Sequence, residues 1–181
     1  MSSKIDSDNK KTGSRFIIVI LPNLLFFIDL IIAYFLNLAL GLPWLLFPGD
    51  DISNPLRFIG LIIGYVLTIL GTVLLTWGTL TIGVSRAEGK EVGSSSDTSR
   101  LITEGPFAFC RHPITLGFIF AIPGIAFTFD SVTLLIMTLL YLPKMILLLI
   151  YEEKELMRRF GAAYEKYKKE VPFLIPRKRK F

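Results

Sequence analysis

Four apolar blocks separated by short polar segments dominate the chain, over residues 16–42, 58–84, 114–129 and 132–151. A bilayer's hydrocarbon core is about 30 Å thick, so a spanning helix needs about 20 apolar residues at 1.5 Å each. The first block is interrupted by Pro22, Asn23, Asp29 and Asn37, and the third is short. The pattern predicts an all-α integral membrane protein with about four transmembrane helices.

Local features refine this outline. Phe129-Asp130-Ser131 predicts the turn of a helical hairpin, in which Asp130 or Ser131 caps the following helix. Four glycines of the second block, Gly60, Gly64, Gly71 and Gly78, predict close helix packing. After the fourth block, a C-terminal amphipathic cytoplasmic helix is predicted from apolar residues at helical spacing, which are Leu156, Phe160, Tyr164, Tyr167 and Val171.

Composition excludes several classes of protein and site. Of 181 residues, 52% are hydrophobic and 19% are charged, whereas about a quarter of the residues of a soluble domain are charged. One cysteine excludes a disulfide framework or zinc cluster, and one histidine excludes a site with two imidazoles. We therefore expect no metal site.

The net charge of +5 is unevenly distributed. Residues 154–181 hold ten basic and three acidic residues, which favours binding to anionic membrane lipids and not to nucleic acid. The loop over residues 85–111 is basic, whereas the loop over residues 43–55 carries Asp50 and Asp51. The positive-inside rule then places both termini in the cytoplasm. The membrane would be the cell membrane of a prokaryote or the endoplasmic reticulum of a eukaryote.

The domain organisation is simple. Residues 1–14 are polar and predicted to be a disordered N-terminus. Residues 93–97 form a second low-complexity stretch within the basic loop. Residues 15–181 are predicted to form one membrane domain, with its chemistry between residues 99 and 177.

Residues 101–117 form the first segment with candidate chemistry. Gly105-Pro106 predicts a turn, and Pro113 suits the first turn of a helix. Arg111 and His112 would then lie at a helix N-terminus, which favours a carboxylate or phosphate. The alternative is that Arg111 is a positive-inside anchor and His112 is a helix cap.

Glu152 and Glu153 form the second segment, at the predicted cytoplasmic end of the fourth helix. No oppositely charged residue stands three or four positions from either glutamate. Two carboxylates at the edge of lipid are costly unless Arg111, His112 or a cationic ligand pairs with them; the alternative is that water solvates them. A hairpin over residues 113–151 would bring the two segments together, in a site suited to a zwitterionic molecule with an extra positive centre.

These segments carry a resemblance. The motifs RLITEGPFAFCRHPITLG and YEEKELMRRFGAAYEKYKKEVPFLIPR resemble those of the isoprenylcysteine carboxyl methyltransferase and phospholipid methyltransferase group of integral membrane enzymes. The resemblance implies S-adenosyl-L-methionine as methyl donor, bound without a Rossmann fold. It implies Glu152 as the functional glutamate near the acceptor, with Glu153 beside it as a second catalytic candidate. The implied cofactor-binding residues are Leu101, Ile102, Phe107, Arg111, His112, Pro113, Ile114 and Thr115.

The sequence departs from the family pattern at two positions that bear on the cofactor and the substrate. Thr115 stands where the family has tyrosine, and Leu148 stands where the carboxyl methyltransferases have an arginine that could bind an acceptor carboxylate. The expected acceptor is amphiphilic, either prenylcysteine carboxylate-like or phospholipid amine-like. Two alternatives stay open: a relative of NADPH-dependent reductases of sterol-type double bonds, and a non-catalytic lipid-binding membrane protein.

Asp29 and Cys110 are two further residues with reactive or charged side chains. Asp29, within the first apolar block, is either part of a functional polar feature or a partner of Lys144 or a backbone donor. Cys110 has only His112 as a neighbouring base and is predicted to be inert.

Overall fold

The computed structural model describes residues 21–47, 54–87 and 101–176. The predicted disordered N-terminus (1–14) and the low-complexity stretch (93–97) lie outside the described residues. The described ranges are all-α, without a β-strand, as predicted. Their helices are α1 (Leu21–Leu40), α2 (Pro55–Ala87), α3 (Pro113–Thr128), α4 (Val132–Phe160) and α5 (Ala162–Glu170), with a 3-10 turn at Gly105–Ala108.

Helices occupy all four predicted apolar blocks, but they differ in length. Within the described ranges, two apolar stretches are long enough to cross a membrane, Pro55–Val84 in α2 and Val132–Phe160 in α4. The apolar stretches of α1 and α3 are shorter, at Leu24–Leu40 and Pro113–Thr128. Two membrane-length helices are thus established, and the crossing of all four remains a prediction.

Glycines allow α2 and α3 to pack closely as antiparallel helices. A Cβ atom added at Gly71 would lie 2.5 Å from the backbone nitrogen of Ala121, and one added at Gly117 would lie 2.8 Å from the carbonyl oxygen of Gly71. Gly64 and Gly124 make the same kind of approach one heptad further along. Gly78 likewise faces Ile114 of α3, whereas Gly60 faces the ring of Phe47, which lies outside the helices. The prediction of close helix packing is therefore confirmed for Gly64, Gly71 and Gly78 but not for Gly60.

The α3–α4 hairpin turns at the predicted residues. The side chain of Ser131 accepts a hydrogen bond from the Leu134 amide at 3.3 Å and so caps α4. Asp130 has a positive φ of 52° and accepts a hydrogen bond from the Phe47 amide at 2.9 Å. The hairpin therefore brings the beginning of α3 to the same side as the later part of α4.

Polar contacts join α1 to α4. Asp29 is fully buried and forms an ion pair with Lys144, and Asn37 donates a hydrogen bond to the Thr133 hydroxyl at 2.8 Å. Of the two interpretations of Asp29, pairing with Lys144 is therefore the one observed. The pair joins two helices in an apolar region, where an unpaired charge would be costly.

Gly161 interrupts the apolar pattern that follows the fourth block. α4 ends at Phe160, and Gly161 has φ 51° and ψ −124°, a conformation open mainly to glycine because it lacks Cβ. The chain then folds back as α5, so that Leu156, Tyr164, Tyr167 and Val171 form one buried cluster. The predicted apolar positions are thus shared by two helices; the cytoplasmic location of α5 stays a prediction.

Candidate active site

A cavity of about 350 Å³ lies between the beginning of α3, the second half of α4 and α5. Ligand cavities in proteins have volumes of this order and combine apolar walls with a few polar groups. Nine of the ten predicted site residues line it, and the tenth, Glu153, does not. The nine are Leu101, Ile102, Phe107, Arg111, His112, Pro113, Ile114, Thr115 and Glu152.

A short turn positions the first group of these residues. Gly105-Pro106 begins the 3-10 turn, with a positive φ of 59° at Gly105. The turn buries Phe107, whose carbonyl accepts a hydrogen bond from the Tyr167 hydroxyl at 2.8 Å. The predicted turn is confirmed, and it is tied to α5.

α3 begins at Pro113, as predicted. Ile114 and Thr115 follow in its first turn, where backbone N–H groups have no partner within the helix. His112 occupies the N-cap position, but its side chain makes no capping hydrogen bond. His112 is thus the predicted cap by position, but its imidazole does not do the capping and lines the cavity instead.

Arg111 is buried in a network and not exposed as a surface anchor. Its Nε lies 2.6 Å from Glu153 Oε1. Its Nη1 donates hydrogen bonds to the carbonyl oxygens of Lys168 and Val171, at 2.9 and 3.0 Å. Its backbone N–H donates to the Pro172 carbonyl at 2.9 Å. One arginine thus joins the start of α3 to the C-terminal segment.

Glu153 lies at the centre of this network. It is 7% exposed, and besides Arg111 it contacts His112 Nε2 at 3.4 Å and Lys168 Nζ at 3.1 Å. The interpretation of Glu153 as a solvated boundary charge is therefore wrong. Its predicted catalytic role stays a prediction, because the carboxylate lies outside the cavity lining.

Glu152 supplies the acidic side chain of the cavity wall. Its Oε2 lies 4.0 Å from His112 Nδ1, which is its only contact with a basic side chain within the described ranges. The imidazole thus stands between two carboxylates, one in the cavity and one outside it. A positively charged group of a bound molecule would complement Glu152.

Lys168 and Phe173 were not predicted at this site, and Tyr164 and Tyr167 were predicted only as apolar positions of a helix although they line the cavity. Lys168 is one of ten basic residues in the tail, so nothing in its spacing distinguished it. Phe173 packs its ring edge-on against His112, with centroids 4.9 Å apart, and lies 5.6 Å from the Arg111 guanidinium. A lone aromatic residue beyond α5 carries no local signal for such contacts.

Burial controls the ionisation of two groups beside the cavity. Burial raises the pKa of the Tyr164 phenol, and the carboxylate of Glu153 raises it further, so Tyr164 is protonated near neutrality. Burial also raises the pKa of the Cys110 thiol to about 11. The thiolate of Cys110 is therefore scarce, which agrees with its predicted inertness.

The remaining cavity wall is apolar. It includes Ile82 from α2 and Met145, Leu148 and Leu149 from α4. Leu148 stands one helical turn before Glu152, so an apolar side chain adjoins the acidic group. In the parts of the chain that the structure describes, no group of three or more histidine, cysteine or acidic residues could hold a metal ion.

Comparisons with known proteins agree on one class of enzyme. A family model described as phospholipid methyltransferase matches residues 59–163, more than half of the chain and a region that includes both candidate segments. A protein-S-isoprenylcysteine O-methyltransferase of Schizosaccharomyces pombe is 29% identical over 160 residues, covering 80% of this chain and 67% of the relative.

Two relatives from Bradyrhizobium diazoefficiens act on a different kind of acceptor by name. Methanethiol S-methyltransferase 1 is 32% identical over 117 residues, covering 64% of this chain and 40% of the relative. Methanethiol S-methyltransferase 2 is 31% identical over 90 residues, covering 49% of this chain and 32% of the relative. The chain thus spans less than half of these two proteins. No solved structure matches the chain.

Proposed function

Because this chain belongs to the phospholipid methyltransferase family, we propose that it transfers a methyl group from S-adenosyl-L-methionine to an amphiphilic acceptor at the cytoplasmic boundary of a membrane. One observation carries the proposal: residues from two segments about 40 positions apart, Leu101–Thr115 and Glu152, line a single cavity. The two segments are those that bear the methyltransferase motifs.

The cavity's chemistry fits this methyl donor. The donor carries a carboxylate, an ammonium and a sulfonium group. Arg111, His112 and the first turn of α3 favour the carboxylate, while Glu152 favours a positive group. The apolar side chains beside Phe107 suit the flat adenine ring.

The residues then act mainly by positioning. The bound donor supplies an electrophilic methyl group, so transfer needs an acceptor atom in line with it and little water nearby. Tyr164 and Tyr167, both buried, cover the cavity on the side of α5. Glu152 accepts a proton from an amine acceptor, or holds its ammonium form beforehand; a carboxylate acceptor would need no base.

The acceptor is proposed to be phospholipid amine-like or prenylcysteine carboxylate-like. Apolar residues line the same cavity as Glu152, namely Ile82 of α2 and Met145 and Leu148 of α4, which suits an acceptor with a hydrocarbon part. The relatives' names, isoprenylcysteine and methanethiol, support a lipophilic or apolar acceptor.

Ligand-dependent thermal stabilisation tests the donor. A ligand at 100 times its Kd stabilises a protein by about 2.7 kcal/mol, so S-adenosylhomocysteine should raise the unfolding temperature of the detergent-purified protein. NADPH is the control. Stabilisation by NADPH alone would favour a reductase, and stabilisation by neither would favour a lipid-binding protein.

Transfer of a radiolabelled methyl group identifies the acceptor. Labelled S-adenosyl-L-methionine is supplied with phosphatidylethanolamine vesicles or with a prenylated cysteine, and the lipid phase is counted. Label in either acceptor supports the proposal. Absence of label from both, with a donor that binds, would contradict the proposed acceptor class.

A further inference from the structure

Three parts of the chain meet at Glu153. Its Oε1 contacts Arg111 at 2.6 Å and His112 at 3.4 Å, and its Oε2 contacts Lys168 Nζ at 3.1 Å. Arg111 and His112 line the cavity, whereas Glu153 does not. Lys168 belongs to α5, which with residues 171–173 we call the roof. Glu153 therefore joins the cavity's cationic wall to the roof.

The roof itself forms part of the cavity. Tyr164 and Tyr167 line it, so their position determines its shape. Arg111 donates to the carbonyls of Lys168 and Val171 and is paired to Glu153 at the same time. Removing the carboxylate charge would leave a buried guanidinium without its anion, which is strongly unfavourable.

We propose that Glu153 is a positioning residue that fixes Arg111 and His112 on one side and the roof, through Lys168, on the other, so that the cavity is formed before the methyl donor binds. The proposal rests on the proposed function in treating the cavity as the donor site. It gives the two neighbouring glutamates different roles, with Glu152 in the cavity wall and Glu153 behind it.

Hydrogen exchange of the ligand-free protein in detergent tests the structural half of the proposal. With Glu153→Gln, the amides of α5 should exchange about tenfold faster than in the wild type, while those of α2 are unchanged. Lys168→Met should act in the same direction, and it removes only a half-exposed side chain. Unchanged exchange of α5 in both variants would overturn the proposal.

Lys169→Met is the matched control. Lys169 is adjacent to Lys168, but it pairs with Glu165 on the exposed surface of α5 at 2.8 Å. Its loss should leave the exchange of α5 close to that of the wild type. Equal acceleration by Lys168→Met and Lys169→Met would show a general loss of helix charge and would contradict a specific tie to Glu153.

Binding and kinetics test the functional half. Glu153→Gln and Lys168→Met should each weaken S-adenosylhomocysteine binding by about tenfold or more, or 1.4 kcal/mol, and raise KM for the donor. Their kcat at saturating donor should fall less than threefold, whereas Glu152→Gln should lower kcat. Loss of kcat at unchanged donor affinity in Glu153→Gln would make Glu153 catalytic and overturn the proposal.

The two halves fail separately. If the wild type does not bind S-adenosylhomocysteine, the proposed function is wrong, but the exchange of α5 still decides whether Glu153 holds the roof. If the wild type binds and neither variant alters exchange or affinity, the positioning role is wrong and the proposed function stands.

Discussion

Glu152 and Glu155 differ by only three positions but occupy different environments. Glu152 lines the cavity, whereas Glu155 pairs with Arg158 through contacts of 2.6 and 3.0 Å on the surface. A general base contributes about 10²–10⁴-fold to a rate. With an amine acceptor, Glu152→Gln should therefore lower methyl transfer by about a hundredfold, and Glu155→Gln should leave it nearly unchanged.

Radiolabelled methyl transfer in purified membranes compares the two glutamine variants at equal protein content. Circular dichroism and the unfolding temperature of both variants in detergent serve as the control for folding. Equal activity of the two would remove Glu152 from the proton transfer.

The second residue-scale prediction concerns Cys110, which is 2% exposed. Because burial raises its thiol pKa to about 11, only a small fraction is thiolate at pH 8, and the thiolate is the reactive form. Iodoacetamide should alkylate Cys110 at least tenfold more slowly in the folded protein than in denaturant. Mass spectrometry of timed samples measures this; equal rates would mean that the thiol is accessible.

Some site residues were predictable individually and others were not. Glu152 was predictable because a charge at the edge of an apolar block requires a partner or a ligand, and Arg111 because it lies at a predicted helix N-terminus, which favours an anion. Lys168 and Phe173 contribute only through contacts with residues about 15 to 60 positions away. No periodicity or local motif records such contacts, so the partner of Glu153 in the roof became visible only in the folded chain.

At the scale of helices, the glycine interface between α2 and α3 leads to a stability prediction. A Cβ at Gly71 would meet the backbone of Ala121 and Gly117, which cannot rotate away, whereas a Cβ at Gly83 meets nothing within 4 Å. Gly71→Ala should therefore destabilise the protein by about 1–3 kcal/mol through overpacking. Gly83→Ala in the same helix should be neutral or stabilising, by about 1 kcal/mol at most.

Thermal unfolding in detergent, followed by circular dichroism, compares these two alanine variants with the wild type. The unfolding temperature of Gly71→Ala should lie below that of the wild type. The unfolding temperature of Gly83→Ala should equal or exceed that of the wild type. A Gly71→Ala protein as stable as the wild type would mean that the two helices can separate at little cost.

The break at Gly161 shows how an apolar pattern can be correct while the element is not continuous. Apolar residues recur at helical spacing from Leu156 to Val171 whether or not the backbone turns between them. The helix ends at Phe160, and the glycine that follows it is a common signal for the C-terminus of a helix. Its backward turn carries Tyr164 over the cavity, so the break gives the site its roof.

At the scale of the whole molecule, the apolar blocks predicted the helices, and the hairpin predicted that the two motifs meet. The number of helices that cross the membrane does not follow from the apolar blocks in the same way. The apolar stretches of α1 and α3 contain 17 and 16 residues, or roughly 25 Å of helix, less than the bilayer core. Packing and local bilayer thinning decide whether such helices span, and neither is encoded in hydropathy.

Labelling of single introduced cysteines tests the predicted orientation, in which the loop carrying Asp50 lies outside and the basic loop carrying Ser95 lies in the cytoplasm. When the protein is expressed in the inner membrane of bacterial cells, an impermeant maleimide should label Asp50→Cys from outside and Ser95→Cys only after the membrane is opened. The buried Cys110 gives the unlabelled wild-type background. Labelling of Ser95→Cys in intact cells would show that the orientation is the opposite of the predicted one. Labelling of both positions from one side would mean that α2 does not cross, and the count of four spans would then be wrong.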